Sequence, residues 1–140
     1  MRDISQKKIT LRTARARSIV KVSDISINAI KNNTVPKGDI FTIAKAAGYL
    51  AVKKTSDVIP HCHPMPVEDC IIEFEIKGNE IIIELETKTH YKTGIEVEAM
   101  YGASVVAITI YDLLKPIDKQ IEISSTKLLF KTGGKSDINN

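Results

Sequence analysis

The sequence predicts an α+β fold of the ferredoxin-like type, in which an antiparallel sheet carries helices packed on one face. Apolar and polar residues alternate with a period of two near the start and in the middle of the chain, which indicates strands. Two longer segments repeat apolar residues at helical spacing, and a strand-like segment comes last. In order, these segments give the βαββαβ arrangement. The 140 residues contain no internal repeat, so we expect one domain, 1–140, with 1–11 and 132–140 as flexible arms.

The first strand is expected between Thr13 and Ser23. Its small or apolar residues fall on one face and its basic residues on the other: Ala14, Ala16, Ser18, Val20 and Val22 against Arg15, Arg17 and Lys21. Ser23 or Asp24 is placed to cap a short helix that runs to Ile30, and the turn-rich segment 31–39 follows. This strand therefore has one core face and one basic face.

The second helix and the hairpin after it have the clearest patterns. Asp39 is placed as an N-cap before a helical stripe of apolar residues: Ile40, Ile43, Ala44, Ala47, Leu50 and Ala51. A proline-bounded loop, 59–66, precedes two alternating strands joined by the turn 77–79. Their inward residues are expected to be Cys70, Ile72, Phe74 and Ile76 on the first strand, and Ile81, Ile83 and Leu85 on the second.

The last helix is apolar on nearly all sides. Thr93 and Glu96 have the spacing of a capping box that would open it, and Pro116 would end it. A helix with so little polar surface between Ala99 and Leu114 must be covered by the sheet and, we expect, by another copy of the chain. The same run is too short and too interrupted for a membrane span. A final strand is expected within residues 120–131.

Composition and charge narrow the class of protein. The N-terminal segment has no apolar stretch of the secretory type, and two cysteines are too few for a disulfide framework, so we expect a cytoplasmic protein. The net charge is only +3, but basic residues crowd both ends of the chain. This is typical either of solvated surface or of a protein with an anionic partner. Nucleic acid is disfavoured, because no aromatic residue interleaves with the basic runs as a stacking platform.

A phosphate-loop motif near the end of the chain fails its test. The stretch TGGKS, 132–136, resembles the end of a Walker A loop, but that loop needs glycine where this chain has Leu129. A helix must also follow the loop, and only four residues remain. Two interpretations remain: the segment is a solvated chain end, or Lys131 and Lys135 form a cationic surface around two glycines that let a ligand approach the backbone closely.

The loop PHCHP carries three groups that could bind a ligand: His61, Cys62 and His63. A His-X-His pair can bind zinc, but the chain has neither a paired Cys-X-X-Cys nor a His-Glu-X-X-His helix, so no metal site is predicted. The other reading is a rigid loop with a buried thiol and surface imidazoles. Prolines on both sides indicate a fixed geometry, which suits a binding or catalytic loop.

Three carboxylates mark the two ends of the last helix. Glu96 and Glu98 lie in its first turn, where acids complement the helix dipole. Asp112 lies near its carboxyl end with Lys115 on the same face, so it is expected to be a buried acid with a perturbed pKa, or else part of a structural ion pair. Glu98 and Asp112 are about 21 Å apart at a rise of 1.5 Å per residue. Neighbouring subunits would have to bring them together in one site.

Four segments of the chain form a specific set in sequence, order and spacing: DISQKKITLRTARA, KGDIFTIAKAAGYLAVKKTSDVIPHCHPM, KTGIEVEAMYGASVVAITIYDLLK and LLFKTGGKS. Together they resemble the MoaC family, whose members make cyclic pyranopterin monophosphate in molybdenum cofactor biosynthesis. The resemblance covers nearly the whole chain. It implies a lyase that rearranges (8S)-3′,8-cyclo-7,8-dihydroguanosine 5′-triphosphate to the pyranopterin and releases pyrophosphate. It also implies a homohexamer, a trimer of dimers, with active sites at subunit interfaces.

The resemblance also implies roles for individual residues. Asp112 would be the catalytic acid/base, working with Lys115 and Lys131. The substrate contacts would come from Arg12, Lys37, His61, Cys62, His63, Glu96, Val97, Glu98 and Lys135. No resident cofactor or metal is implied, although diffusible Mg²⁺ can accompany the phosphates.

This chain departs from the family pattern at three positions. His61 stands where the family usually has an apolar residue, Val97 where methionine is common, and Asp137 where glycine follows GGKS. Two other interpretations are weaker: a non-catalytic oligomer that binds nucleotide or RNA, and a metal-binding regulator that uses the PHCHP loop.

Overall fold

A computed structural model describes residues 1–140 and confirms the predicted ferredoxin-like fold. The elements in chain order are β1 (Thr10–Lys21), α1 (Asp24–Lys31), α2 (Ile40–Val58), β2 (Asp69–Lys77), β3 (Glu80–Tyr91), α3 (Glu96–Leu114), β4 (Glu122–Thr132) and β5 (Ile138–Asn139). The sheet has the order β2-β3-β1-β4-β5, and every neighbouring pair is antiparallel. Sequence reasoning missed β5, a two-residue strand that the tail adds beside β4.

The predicted core face of β1 is confirmed. Its inward residues are almost completely buried: Ala14, Ala16, Ser18 and Val20, with Val22 just beyond the strand. The first three are small, so the central strand leaves room for α3 to lie close against the sheet. The helix also carries small residues on its buried side, Ala99, Gly102 and Ala103. This close approach places α3 across the middle of the sheet.

The long helix α3 is a core helix. By length and composition alone it could cross a membrane. However, nine of its residues are buried, from Glu98 to Leu114. Its outward side still exposes apolar surface at Ile108 and Tyr111, which are 56% and 43% exposed.

The Asp39 carboxylate accepts a hydrogen bond from the Thr42 amide, so the predicted N-cap of α2 is confirmed.

Two glycines determine how closely α2 and α3 pack against each other and the sheet. A Cβ on Gly48 would lie 2.6 Å from both Ile72 and Val106, and one on Gly102 would lie 2.6 Å from Val52. Only glycine lets the two helices and the sheet approach this closely.

Two boundary predictions were wrong. α3 begins at Glu96 with Ile95 as its N-cap and no side-chain cap, so Thr93 and Glu96 do not form a capping box. The reason is that Ile95 is buried, 1% exposed, which fixes the start of the helix there, while the Glu96 carboxylate pairs with a lysine of β4. β1 begins at Thr10 rather than Thr13, because β3 is long enough to pair with it there.

Candidate active site

The residues proposed from the sequence lie in two groups at opposite ends of α3. The strand register defines these ends. At one end the start of β1 aligns with the end of β3, through Thr10 and Tyr91, and with the end of β4, through Thr13 and Thr132. At the other end Lys21 aligns with Glu80 and Glu122. α3 starts at the first end and finishes at the second.

The lysine–aspartate group consists of Lys37, Asp112 and Lys115. The Asp112 carboxylate accepts hydrogen bonds from Lys115 Nζ at 2.8 Å and from Lys37 Nζ at 3.0 Å. Lys37 also donates to the Asp112 carbonyl oxygen at 3.0 Å, one of the acceptors left free at the end of a helix. The structure therefore adds Lys37, from the loop before α2, to the predicted pair.

Asp112 is not the buried acid that the sequence suggested. Half of its side-chain surface is exposed, because it lies on the outward side of the last turn of α3. Hydrogen bonds and charge from Lys115, then Lys37, lower the pKa of the Asp112 carboxyl, and the carboxylate in turn raises the pKa of Lys115. In a single chain, the ionised form of Asp112 is thus stabilised by two lysine side chains.

The glutamate group consists of Cys62, Glu96, Glu98 and Lys131. Lys131 Nζ lies 2.8 Å from Glu96 Oε1, and both side chains are three-quarters buried. The Cys62 thiol donates to Glu98 Oε1 at 3.1 Å. The loop after α2, the first turn of α3 and the end of β4 therefore meet here.

Burial controls the chemistry of the glutamate group. Glu98 is 3% exposed, and this burial raises the pKa of its carboxyl. Burial, followed by the hydrogen bond to Glu98, raises the pKa of Cys62 to about 12, so the thiol is a hydrogen-bond donor rather than a nucleophile. The second carboxylate oxygens of Glu96 and Glu98 are buried without a hydrogen-bond partner. Each is an unused acceptor that faces inward.

Arg12 and the turn that contains Gly133 and Gly134 adjoin the glutamate group. Arg12 Nη2 donates to the Lys92 carbonyl at 3.4 Å, while its buried Nε has no partner. The turn is tied down twice: the Thr10 hydroxyl donates to the Gly133 carbonyl at 2.6 Å, and the Gly133 amide donates to the Asp137 carboxylate at 3.1 Å. Asp137, a departure from the family pattern, thus closes the turn that carries Lys135. The Lys135 side chain is exposed.

The histidines of the PHCHP loop contact the first residues of the chain. His61 Nδ1 lies 3.0 Å from the Met1 amine, and His63 Nε2 lies 2.8 Å from the Arg2 carbonyl. His63 also lines a groove of about 500 Å³ whose other walls are the first five residues, Pro64, Tyr91 and Lys92. No three His, Cys, Asp or Glu side chains converge as a metal site would require.

The arrangement separates the three residues proposed for catalysis. Lys131 pairs with Glu96 at one end of α3, whereas Asp112 and Lys115 lie at the other end. Val97 is on the first turn of α3, 38% exposed. One chain therefore presents two lysines around an exposed carboxylate at one end of α3, and largely buried glutamates beside an arginine at the other.

Sequence reasoning also missed Asp118, which follows α3 and is 3% exposed. It accepts hydrogen bonds from the Ser23 amide, the Ser26 hydroxyl and the Gln120 amide. These hydrogen bonds lower its pKa to about 2 despite the burial. In the sequence it resembles an ordinary surface acid, because nothing local marks its partners 92 and 95 residues away.

Comparisons with known proteins identify the family of the chain. A family model described as the MoaC family matches residues 1–134. A cyclic pyranopterin monophosphate synthase of Bacillus thuringiensis subsp. konkukian is 44% identical over 97% of this chain and 87% of its own length. The protein of the same name from Nitratidesulfovibrio vulgaris is 41% identical over 97% of this chain and 86% of its own length. The chain belongs to the MoaC family.

Proposed function

We propose that this protein is a cyclic pyranopterin monophosphate synthase of molybdenum cofactor biosynthesis, a lyase. It converts (8S)-3′,8-cyclo-7,8-dihydroguanosine 5′-triphosphate to the cyclic pyranopterin monophosphate and releases pyrophosphate. The names of its relatives support the reaction. The observation that carries the proposal for this chain is Asp112 held by two lysines, because this one cluster supplies a proton acceptor, proton donors and cations for phosphate.

The lysine–aspartate group suits the proton transfers of the reaction. Opening a purine ring and closing a pterin ring requires protons to move at several nitrogen and oxygen atoms. In the resting chain, Asp112 is a weak base because both lysines lower its pKa. When a phosphate of the substrate draws Lys37 away, Asp112 loses one cation and becomes a stronger base. Lys115 remains as the proton donor beside it.

The glutamate group suits recognition of the ring system and the phosphates. The unpartnered oxygens of Glu96 and Glu98 can accept hydrogen bonds from ring N–H and NH₂ groups. Cys62 and Val97 line the same end, with His61 and His63 in the adjoining loop. As the cyclic phosphate forms, an oxygen of the substrate bonds to the α-phosphorus while the bond to the bridging oxygen of pyrophosphate breaks. Arg12, Lys131 and Lys135 supply cations for the charge on that leaving group.

The separation of the two groups supports a site shared between subunits. Glu98 and Asp112 are about 21 Å apart on one straight helix, which is too far for both to contact one nucleotide. The exposed apolar residues Ile108 and Tyr111 lie on the same outward side of α3 as Asp112, as expected for a surface covered by a second copy. We propose a homohexamer, a trimer of dimers, in which the two groups from different subunits form each site.

The proposed enzyme works in the cytoplasm and without a resident cofactor. Both cysteines are free, which suits a reducing compartment. Any Mg²⁺ that takes part enters with the triphosphate and leaves with pyrophosphate, since phosphate oxygens are the ligands that this ion prefers. The substrate is a small molecule, and the proposal involves no nucleic acid or membrane partner.

The test measures two products from the cyclised dihydro-GTP: pyrophosphate, and the fluorescent pterin obtained after oxidation. Wild-type protein should form both in equal amounts. Asp112→Asn should remain folded and lose about 10²- to 10⁴-fold in kcat, the usual contribution of an acid/base group. Asp57→Asn is the matched control, because Asp57 also pairs with a lysine three residues away on an exposed helix surface. A wild-type protein that forms no pterin contradicts the function, and an Asp112→Asn variant with normal kcat contradicts the role of Asp112.

A further inference from the structure

A buried carboxylate joins the two segments that supply the lysines of the lysine–aspartate group. Asp118 lies four residues after the end of α3, and 3% of it is exposed. Its Oδ2 accepts hydrogen bonds from the Ser23 amide at 2.9 Å and from the Ser26 hydroxyl at 2.6 Å, both at the start of α1. Its Oδ1 accepts from the Gln120 amide at 2.9 Å, which fixes the chain on its own side. All three partners are uncharged.

Asp118 and the three groups that donate hydrogen bonds to it form a junction between α1 and the end of α3. On one side of this junction, the backbone leads directly to Lys115. The amides of Ile117 and Asp118 both donate to the Leu114 carbonyl at 3.0 Å, so the chain turns tightly at the end of α3. Lys115 is the C-cap residue of the helix, within that turn. Any shift of Asp118 therefore moves the backbone that carries Lys115.

On the other side, the backbone leads to Lys37 through α1 and a short ordered loop. The Thr34 amide donates to the Ala29 carbonyl at 2.9 Å, and the Gly38 amide donates to the Val35 carbonyl at 3.1 Å. Val35 is buried between these two bonds. Since the first bond ties the loop to α1 and the second closes the turn that carries Lys37, the position of Lys37 depends on where α1 is held.

We propose that Asp118 is a positioning residue for the reaction: it fixes α1 against the end of α3 and so holds Lys37 and Lys115 on opposite oxygens of Asp112. The inference rests on the proposed function and adds a residue that never touches the substrate. The only charged groups that face the Asp112 carboxylate are these two lysines, one from each segment. Loosening the junction therefore affects both of its cations, and misplacement by about 1 Å can lower a rate a hundredfold.

The test follows the ionisation of Asp112 as well as catalysis. Carboxyl carbon signals are titrated by NMR in the wild type, in Asp118→Asn and in Ser26→Ala, and the Asp112 signal is assigned by its loss in Asp112→Asn. Asp118→Asn keeps the size of the side chain, but in either orientation of the amide it places an NH₂ group opposite a backbone N–H donor. Ser26→Ala removes only one of the three hydrogen bonds, so it serves if Asp118→Asn does not fold. Asp24→Asn is the control, since Asp24 also lies at the start of α1 but bonds Asn79 instead of the end of α3.

The proposal predicts that both junction variants move the pKa of Asp112 up toward its ordinary value of 3.8 and lower kcat about ten- to a hundredfold. Asp24→Asn should match the wild type in both measurements. A merely structural role would lower the amount of folded protein but leave the Asp112 titration of the folded fraction unchanged, and that result overturns the proposal. If the wild type shows no synthase activity, the proposed function fails while the titration still decides the role of Asp118.

Discussion

Replacing Gly133 by alanine should detach the C-terminal turn from the sheet without unfolding the domain. Gly133 has φ +94°, a left-handed conformation that costs an L-residue about 1–2 kcal/mol. More importantly, a Cβ there would overlap the carbonyl oxygen of Leu11. That oxygen belongs to the backbone of β1, so it cannot move aside. The strain of the positive φ and the overlap with the Leu11 carbonyl together exceed the free energy that the contacts of the turn contribute.

The contacts that hold the turn are few and exposed. The two hydrogen bonds of Gly133, one from the Thr10 hydroxyl and one to Asp137, each contribute about 0.5–1.5 kcal/mol. Because Gly133 follows the end of β4, losing these bonds leaves the core cluster intact. We therefore expect the free energy of unfolding in urea to fall by no more than about 1–3 kcal/mol.

The matched control for attachment of the turn is Gly134→Ala. The new Cβ would lie 2.5 Å from Arg12 Nη1, the end of a flexible side chain that can shift, and Gly134 has no positive φ. Amide hydrogen exchange should show lost protection in residues 133–139 for Gly133→Ala only. Its kcat/KM should fall about tenfold or more as Lys135 loses its position, the equivalent of one charge-assisted hydrogen bond. A Gly133→Ala variant with a protected tail and normal kcat/KM would refute this reasoning.

Three further predictions concern ionisation. For Asp118, hydrogen bonding lowers the pKa from 3.8 to about 2, so Asp118→Asn should lose about 2 kcal/mol of unfolding free energy at pH 7. This difference from the wild type should shrink as the pH falls from about 4 to about 2. A difference that persists at pH 2 would contradict the low pKa of Asp118. For Cys62, a pKa of about 12 predicts that iodoacetamide alkylates the thiol at pH 8 about a thousandfold more slowly than an ordinary thiol, as measured by mass spectrometry. Rapid labelling would show that the Cys62 thiol is not held in its protonated form. Lys37→Met should raise the pKa of Asp112, because Lys37 is one of the two cations that lower it; an unchanged NMR titration would contradict that pairing.

Local patterns predicted most of the fold. The alternation in β1, β2 and β3 and the Asp39 cap are set by neighbours in sequence, and the structure agrees with them. The start of α3 was misplaced because the spacing of Thr93 and Glu96 satisfies a local rule, whereas the burial of Ile95 and the pairing of Glu96 with Lys131 are tertiary effects. Propensity rules contain no information about such distant partners.

The candidate site was predictable in residue type but not in grouping. The sequence showed Asp112 beside Lys115, because they are three residues apart on a helix. It did not show that Lys37 completes that pair, or that Lys131 lies with Glu96 at the opposite end, because only the strand register and the loop before α2 determine those positions. Asp118 was missed for the same reason: its partners come from a different part of the chain.

The most direct test of the account is complementation between two inactive variants. Asp112→Asn and Lys131→Met subunits, each with a different affinity tag, are co-expressed and purified by both tags in turn. If each site takes the lysine–aspartate group from one subunit and Lys131 from another, random mixing restores about a quarter of the sites. The control pairs Asp112→Asn with Lys115→Ala, which alter the same group and should not complement. The account predicts synthase activity near a quarter of the wild-type value in the first mixture and none in the second, whereas inactivity of both mixtures would contradict the shared site.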